Sequence, residues 1–294
     1  MKEVVVISGK GGTGKTSLVA SFAALAERKI LVDCDVDAAD LHLVLNPHID
    51  RREEFTGGKK AAIQEDLCTG CGKCLETCRF DAVSSVAGPD GENRFVVDPI
   101  SCEGCGLCAR LCPAGAIRFE PAVSGEWFVS TTAYGPMVHA RLGIAQSNSG
   151  KLVSLLRREA RGMAEKEGFP LLIADGSPGI GCPVIASITG ADLVVAVTEP
   201  TCSGLHDVQR VVDLTSHFRI PLLLCINKWD IHPEMAERIE QETAQRGVRM
   251  AGRIRYDPAV TKAQIMKTTV VEYTDGAIAD DIRALWKNVV SALG

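Results

Sequence analysis

A short apolar run that halts at a glycine-rich loop and restarts as a helix leaves this chain little choice of fold. Glu3–Ser8 carries Val4, Val5, Val6 and Ile7 in succession, the pattern of a strand buried on both faces. It runs into Gly9-Lys10-Gly11-Gly12-Thr13-Gly14-Lys15-Thr16, and a helix is expected from Lys15 to Arg28. G-x4-G-K-[ST] in a strand–loop–helix setting is a phosphate cradle. Its glycines let backbone N–H groups curl around phosphates, and the helix N-terminus adds a favourable dipole. Gly9, Gly11, Gly12, Thr13 and Gly14 are therefore expected to surround the phosphates. Lys15 is expected to reach the β- and γ-phosphates, and the Thr16 hydroxyl to bind Mg²⁺.

Strands are expected at Lys29–Asp33, Trp127–Thr132, Leu171–Asp175, Leu193–Thr198, Pro221–Asn227 and Val248–Ile254. Amphipathic helices over Gly150–Gly168, Ser203–Ser216, Pro233–Arg246 and Asp275–Leu293 alternate with the later strands, and a shorter helix is expected at Ala38–Leu45. The alternation implies an α/β fold: a mainly parallel sheet with helices on both faces. Carboxylates stand at strand ends, where such sheets bind ligands: Asp33 and Asp35 in one place, Asp175 in another. Asp37 and Asp40 follow, as supporting or merely solvated groups.

Lys10 adds more. The run K-G-G-T-G-K-T resembles the deviant P-loop of the MinD, Mrp and nitrogenase-iron-protein group of dimeric ATPases. That resemblance implies ATP hydrolysis by a homodimer, with Lys10 crossing to the partner's nucleotide. It implies that Asp35 orients or activates the attacking water and contacts Mg²⁺. Asp175-Gly176-Ser177-Pro178-Gly179 looks like a Walker B aspartate, holding the metal through water, followed by a switch loop ending at Gly179. Asn227 matches the residue that contacts the base in this group, and Arg255-Tyr256-Asp257-Pro258 resembles its base-flanking loop. The spelling Asn227-Lys228-Trp229-Asp230 also fits the guanine-reading motif of GTPases; the rest of the pattern favours ATP.

Between these halves lies C-x2-C-x2-C-x3-C, twice: Cys68, Cys71, Cys74, Cys78, then Cys102, Cys105, Cys108, Cys112. This is the spacing of bacterial ferredoxins with two [4Fe–4S] clusters, in which the fourth cysteine of each run ligates the other cluster. One cluster is expected on Cys68, Cys71, Cys74 and Cys112, the other on Cys102, Cys105, Cys108 and Cys78. Zinc is the alternative, but zinc sites seldom use this arrangement twice. Pro113 follows Cys112 as the spacing rule expects, whereas Arg79 stands where the matching proline would follow Cys78. Cys182 lies seven positions after Asp175, the offset of one cluster-bridging cysteine of the nitrogenase iron protein. No second cysteine occurs in Gly135–Ser149, so Cys182 is expected to be a small buried residue at a helix start.

The chain thus resembles a MinD-type ATPase interrupted by a small α+β ferredoxin-like domain. The expected division is 1–57 and 122–294 for the ATPase and 58–121 for the insert, with a turn at Gly88-Pro89-Asp90-Gly91. A net charge of −5 argues against nucleic acid as a partner, and no apolar run is long enough to span a membrane. The start at Met1 has no signal-peptide pattern and cluster thiolates need a reducing compartment, so a cytoplasmic protein is expected. Three functions follow. ATP-gated electron transfer to a redox partner leads, because four-cysteine ligand sets are poorly suited to giving up their clusters. A carrier that matures a metallocofactor client comes second, and a nucleotide-controlled interaction module with structural clusters third.

Overall fold

The computed structural model describes residues 1–88, 93–143 and 149–294. The chain opens with β1 (Lys2–Ser8), α1 (Lys15–Leu25), β2 (Lys29–Asp33) and α2 (Leu41–Leu45). Next come β3 (His48–Ile63), α3 (Lys73–Thr77), β4 (Val83–Ala87), β5 (Asn93–Val97), α4 (Leu107–Leu111), β6 (Ile117–Thr132) and β7 (Gly135–Leu142). The regular alternation then resumes with α5 (Ser149–Glu167), β8 (Leu171–Pro178), α6 (Cys182–Ile188), β9 (Leu193–Thr198) and α7 (Cys202–His217). It closes with β10 (Leu222–Asn227), α8 (Pro233–Ala244), β11 (Arg249–Ile254), α9 (Ala259–Ile265), α10 (Val270–Tyr273) and α11 (Ala277–Leu293).

Two compact units divide the chain: Met1–Arg52, Trp127–Arg141 and Ser149–Gly294 form the first, and Glu53–Glu126 with 142–143 the described part of the second. The breaks differ from the sequence expectation because β3 and β6 are long strands. The cysteine motifs mark the middle of the second unit, not its ends.

One nine-stranded sheet runs β11-β10-β9-β1-β8-β2-β7-β6-β3. β1 lies parallel between β8 and β9, and β2 lies parallel between β8 and β7. Val4, Val5, Val6 and Ile7 are fully buried, as an apolar run covered on both faces requires. Helix α11 places Ile278, Ile282, Leu285, Trp286, Val289 and Leu293 on one buried stripe at helical spacing. Trp286 packs on Phe22 of α1 with ring centroids 4.7 Å apart. A buried aromatic of this kind stabilises by roughly 2 kcal/mol.

Several element bounds depart from the sequence reading. α1 ends at Leu25, not Arg28, because Ala26 is already extended and Lys29, which starts β2, caps its carbonyl with a 2.8 Å bond. α2 begins at Leu41, not Ala38, because the Asp33 carboxylate accepts from the Leu41 N–H at 3.3 Å and fixes the start there. β8 continues past Asp175 to Pro178 beside β1. β6 starts at Ile117, well before Trp127.

In the second unit the two cysteine motifs repeat their backbone. Gly70 and Gly72 have φ of 67° and 75°, and Gly104 and Gly106, at the matching positions, 64° and 73°. These left-handed glycines flank Cys71 and Cys105, and α3 and α4 follow at the same offset. β4 and β5 pair antiparallel from Val83↔Val97 to Ala87↔Asn93. From Pro89 on, the turn expected at Gly88–Gly91 lies outside the described residues.

Glu3, buried on β1, ties that strand to α5. Its Oε1 accepts from Arg157 Nε at 2.7 Å and its Oε2 from Arg161 Nε at 2.9 Å. Arg157 also donates to the carbonyls of Ala186 and Thr189 at 2.6 and 2.9 Å, fixing the end of α6. Glu3→Ala leaves a buried guanidinium without its counter-charge, and urea unfolding should show a loss of about 3 kcal/mol. A loss under about 1 kcal/mol would place this network among ordinary surface pairs.

Candidate functional site

The sheet brings the strand-end carboxylates to the loop after β1. Asp33 of β2 and Asp175 of β8 are register partners, and Val6 of β1 pairs with Asp175 on the other side. Lys15, first residue of α1, then reaches both aspartate loops. Its Nζ donates to Asp175 Oδ1 at 2.6 Å and to Asp35 Oδ2 at 3.3 Å. Thr16 Oγ1 donates to Asp175 Oδ2 at 2.7 Å. One lysine, one hydroxyl and two carboxylates predicted from sequence thus meet in one place.

Burial opposes the Lys15 ammonium, but Asp175 and Asp35 outweigh it and hold its pKa above the ordinary lysine value. Burial, reinforced by the Asp175 charge, raises Asp33 well above the usual carboxylate range. Burial also raises Asp35, against the pull of Lys15. Asp35 and Asp175 share the one Lys15 ammonium, a set of oxygens that suits a divalent cation.

The loop itself is built for close approach. Gly12 and Gly14 have φ of 80° and 89°, where side chains are strained. A Cβ on Gly14 would meet Asn227 Nδ2 at 2.4 Å. Asn227 instead donates that amide to the Thr13 carbonyl at 2.8 Å, so the end of β10 braces the loop. Thr13 Oγ1 is buried without a partner, an orphaned polar atom beside the phosphate cradle. The donor set of Lys15, Thr16 and the loop therefore fits a Mg-nucleotide.

Sequence reasoning missed what couples the two aspartate loops. Asp33 Oδ1 accepts from the Asp35 N–H at 3.1 Å while Oδ2 holds Leu41, so Asp33 clamps Asp35–Asp40 at both ends. Cys34 N–H donates to the Asp175 carbonyl at 2.7 Å, and Ser177 Oγ donates to the Cys34 carbonyl at 2.6 Å. Gly179, at φ 89°, donates its N–H to the Ser8 carbonyl at 2.8 Å. Asp37 and Asp40 are exposed. The D-x-D spelling was the available signal for Asp33; Ser177 was legible as part of the loop after Asp175, but its bond to Cys34 was not.

Lys10 is half-exposed, 3.2 Å from Ser203 Oγ and 3.5 Å from Glu199 Oε2. Lys228 holds the other oxygen of Glu199 at 2.6 Å. Asp230 Oδ1 accepts from the Tyr256 N–H at 2.7 Å, and Arg255 pairs with Asp281. The carboxylate that would read guanine is thus partly engaged by backbone. Cys182 begins α6 as expected but is exposed, not buried: it stands at the helix's first position, ahead of the buried Val184.

In the second unit the eight cysteines sort into two pockets. Cys68, Cys71, Cys74 and Cys112 line one, with Ile63, Phe95 and Ile117. Cys78, Cys102, Cys105 and Cys108 line the other, with Ala61, Phe80 and Val97. Ala116 N–H points at Cys112 Sγ, 3.3 Å away. Among the described residues no three His, Cys, Asp or Glu side chains close on a single metal ion. Cluster thiolates ring a cube, a wider arrangement than four sulfurs each about 2.3 Å from one zinc.

The profile of the CobQ/CobB/MinD/ParA nucleotide binding domain matches residues 4–270. The uncharacterized protein MJ0578 of Methanocaldococcus jannaschii is 35% identical over 232 residues, 77% of this chain and 78% of that protein. The uncharacterized ATP-binding protein MJ0547 of the same organism is 25% identical over 98% of this chain and 88% of its own length. In fold, the chain is similar to the cell division ATPase MinD of Pyrococcus furiosus: TM-score 0.59, 18% identity, covering 99% of this chain and 98% of that one. It is equally similar to MinD of Pyrococcus horikoshii complexed with Mg-ADP: TM-score 0.59, 16% identity, covering 100% and 97%. No helix among the described residues is long and apolar enough to cross a membrane.

Lys15→Ala leaves Asp33, Asp35 and Asp175 buried around a missing cation. Urea unfolding at pH 8 should show a loss of about 3 kcal/mol. That loss should shrink at pH 5: the raised carboxyl groups take up protons more readily in the fold than in the unfolded chain. An equal loss at both pH values would mean that Lys15 does not neutralise this cluster.

Proposed function

The chain belongs to the CobQ/CobB/MinD/ParA family of nucleotide-binding domains, and on that premise we propose an ATPase that gates electron transfer through two [4Fe–4S] clusters. The division of the eight cysteines into two pockets of four carries the electron-transfer part. Each pocket joins three cysteines of one motif with the fourth of the other, the crossed pattern of two-cluster ferredoxins. When bound, each cluster supplies one-electron chemistry; the chain's part is to hold it, shield it and set its surroundings.

The hydrolytic half follows from the aspartate cluster. Lys15 neutralises Asp175 and Asp35 in the free protein and moves to the β- and γ-phosphates of ATP. Thr16 and Asp175 are then free to serve Mg²⁺, Thr16 directly and Asp175 through water. Asp35, released from Lys15, accepts a hydrogen bond from the attacking water. The Asp33 clamp keeps it aimed, and Ser177 links its loop to the one after Asp175, so both loops respond to the γ-phosphate. The Mg-ADP bound by the Pyrococcus horikoshii relative is consistent with this site. Lys10 completes the site of a second copy across a homodimer; leaving Glu199 and Ser203 frees it to do so. Asn227 lies beside the adenine base while bracing Thr13. Residues 58–121 serve as the ferredoxin-like insert, and the reducing cytoplasm suits its thiolates.

Anaerobically purified protein should carry about eight iron atoms per chain. Lys15→Ala should lose hydrolysis and keep that iron. Zinc without iron would end the cluster reading.

Coupling needs a separate test. MgATP, against MgADP, should change the reduction potential or the rate of iron chelation, because a ligand shifts a state only through differential affinity. Equal values in both nucleotides, together with iron passing to an apo-client, would replace electron transfer by metallocofactor maturation.

The dimer is tested by molecular mass. Wild-type protein should double in mass with MgATP, and Lys10→Ala should fail to. A wild-type monomer in MgATP would remove the role assigned to Lys10.

A further inference from the structure

The end of β3 crosses the first ligand loop of the second cysteine site. A Cβ on Gly104 would meet the Lys59 carbonyl oxygen at 2.1 Å, so these two stretches of backbone touch. That approach brings Lys60 onto the loop: its Nζ donates to the Cys102 carbonyl at 2.5 Å. Lys60 is half-buried and Cys102 buried. Two acidic groups lie nearby. Glu103 lines the same pocket and is exposed. Asp98 accepts from Ser101 Oγ and from the N–H groups of Ile100 and Ser101; those bonds, Ser101 Oγ foremost, with the Lys60 charge adding, hold its pKa below the usual value.

Resting on the two-cluster reading above, we propose that Lys60 raises the reduction potential of the cluster held by Cys78, Cys102, Cys105 and Cys108. Reduction adds one electron to a cluster and takes the unit with its four thiolates from −2 to −3, with no bond or proton transferred. A fixed positive charge favours the more negative state. Lys60 bonds the ligand's own carbonyl, not its sulfur, so it acts through space and leaves the ligand set intact. Its removal would also leave Glu103 and Asp98 unbalanced, and both push the potential the same way, downward. The first site has Lys73 among its lining residues; beside the second, Lys59 Nζ lies 5.5 Å from the centre of the Phe119 ring.

The full chain, purified without oxygen and titrated with dithionite while its electron paramagnetic resonance is followed, tests this directly. Lys60→Gln should lower one midpoint potential and leave the other at its wild-type value, with iron content unchanged. Lys60→Arg should restore it. Glu103→Gln, at an exposed position that leaves the fold alone, should raise the same midpoint, which keeps the proposal testable if Lys60→Gln does not fold. Unmoved midpoints, both midpoints moving together, or Glu103→Gln moving the other one would each overturn the assignment. A wild-type chain without iron would fail one step earlier, at the cluster reading itself.

Discussion

A lysine ammonium buried among three aspartates governs the first unit. Lys15 lies 2.6 Å from Asp175 and 3.3 Å from Asp35, with Asp33 close behind. Taking these charges out of water is unfavourable by several kcal/mol per ion, and their attraction offsets this only while all partners stay together. A structure built for stability alone would favour apolar residues here. Under the function proposed above, phosphates would replace the carboxylates around Lys15, and a cation would replace Lys15 among the carboxylates. The free protein thus keeps the site neutral enough to fold while leaving each group a better partner to move to.

That exchange explains why the surrounding bonds are local and directional. Asp33 fixes Asp35 and Leu41, Cys34 and Ser177 join the two loops, and Asn227 braces Thr13. Each uses a backbone group on one side, so the loops are tied to one another at the sheet's end. The sheet supplies rigidity through fully buried strands, and the loops at its end carry the site's side chains.

Much of this was legible in residue order, and what was not has physical causes. Short apolar runs such as Val4–Ile7 and Leu193–Thr198 read as buried parallel strands because they are short, rich in β-branched residues and bounded by loops. The phosphate loop was legible because its backbone needs glycine at particular positions, Gly12 and Gly14 among them. The start of α2 was not, since it depends on a carboxylate eight residues earlier. The bond made by Ser177 was invisible for the same reason: its partner is Cys34, on a neighbouring strand end. Cys182 looked like a buried filler from sequence because exposure at the first position of a helix depends on what packs there.

The second unit differs in kind, because its geometry is written locally. Each motif sets its glycines at the same left-handed angles and follows with a helix of the same length, so each half can form its own ligand loop before the two halves meet. Each pocket takes its fourth cysteine from the other motif, so in the proposed two-cluster reading neither site would be complete until α3 and α4 have packed. Chain order adds a link to the nucleotide. The clamp on Asp35–Asp40 ends at α2, and β3 follows directly, carrying Lys60 to the Cys102 carbonyl and placing Ala61 and Ile63 in the walls of the two pockets. In the proposed coupling, Asp35–Asp40 and Lys60 are linked in chain order through α2 and β3.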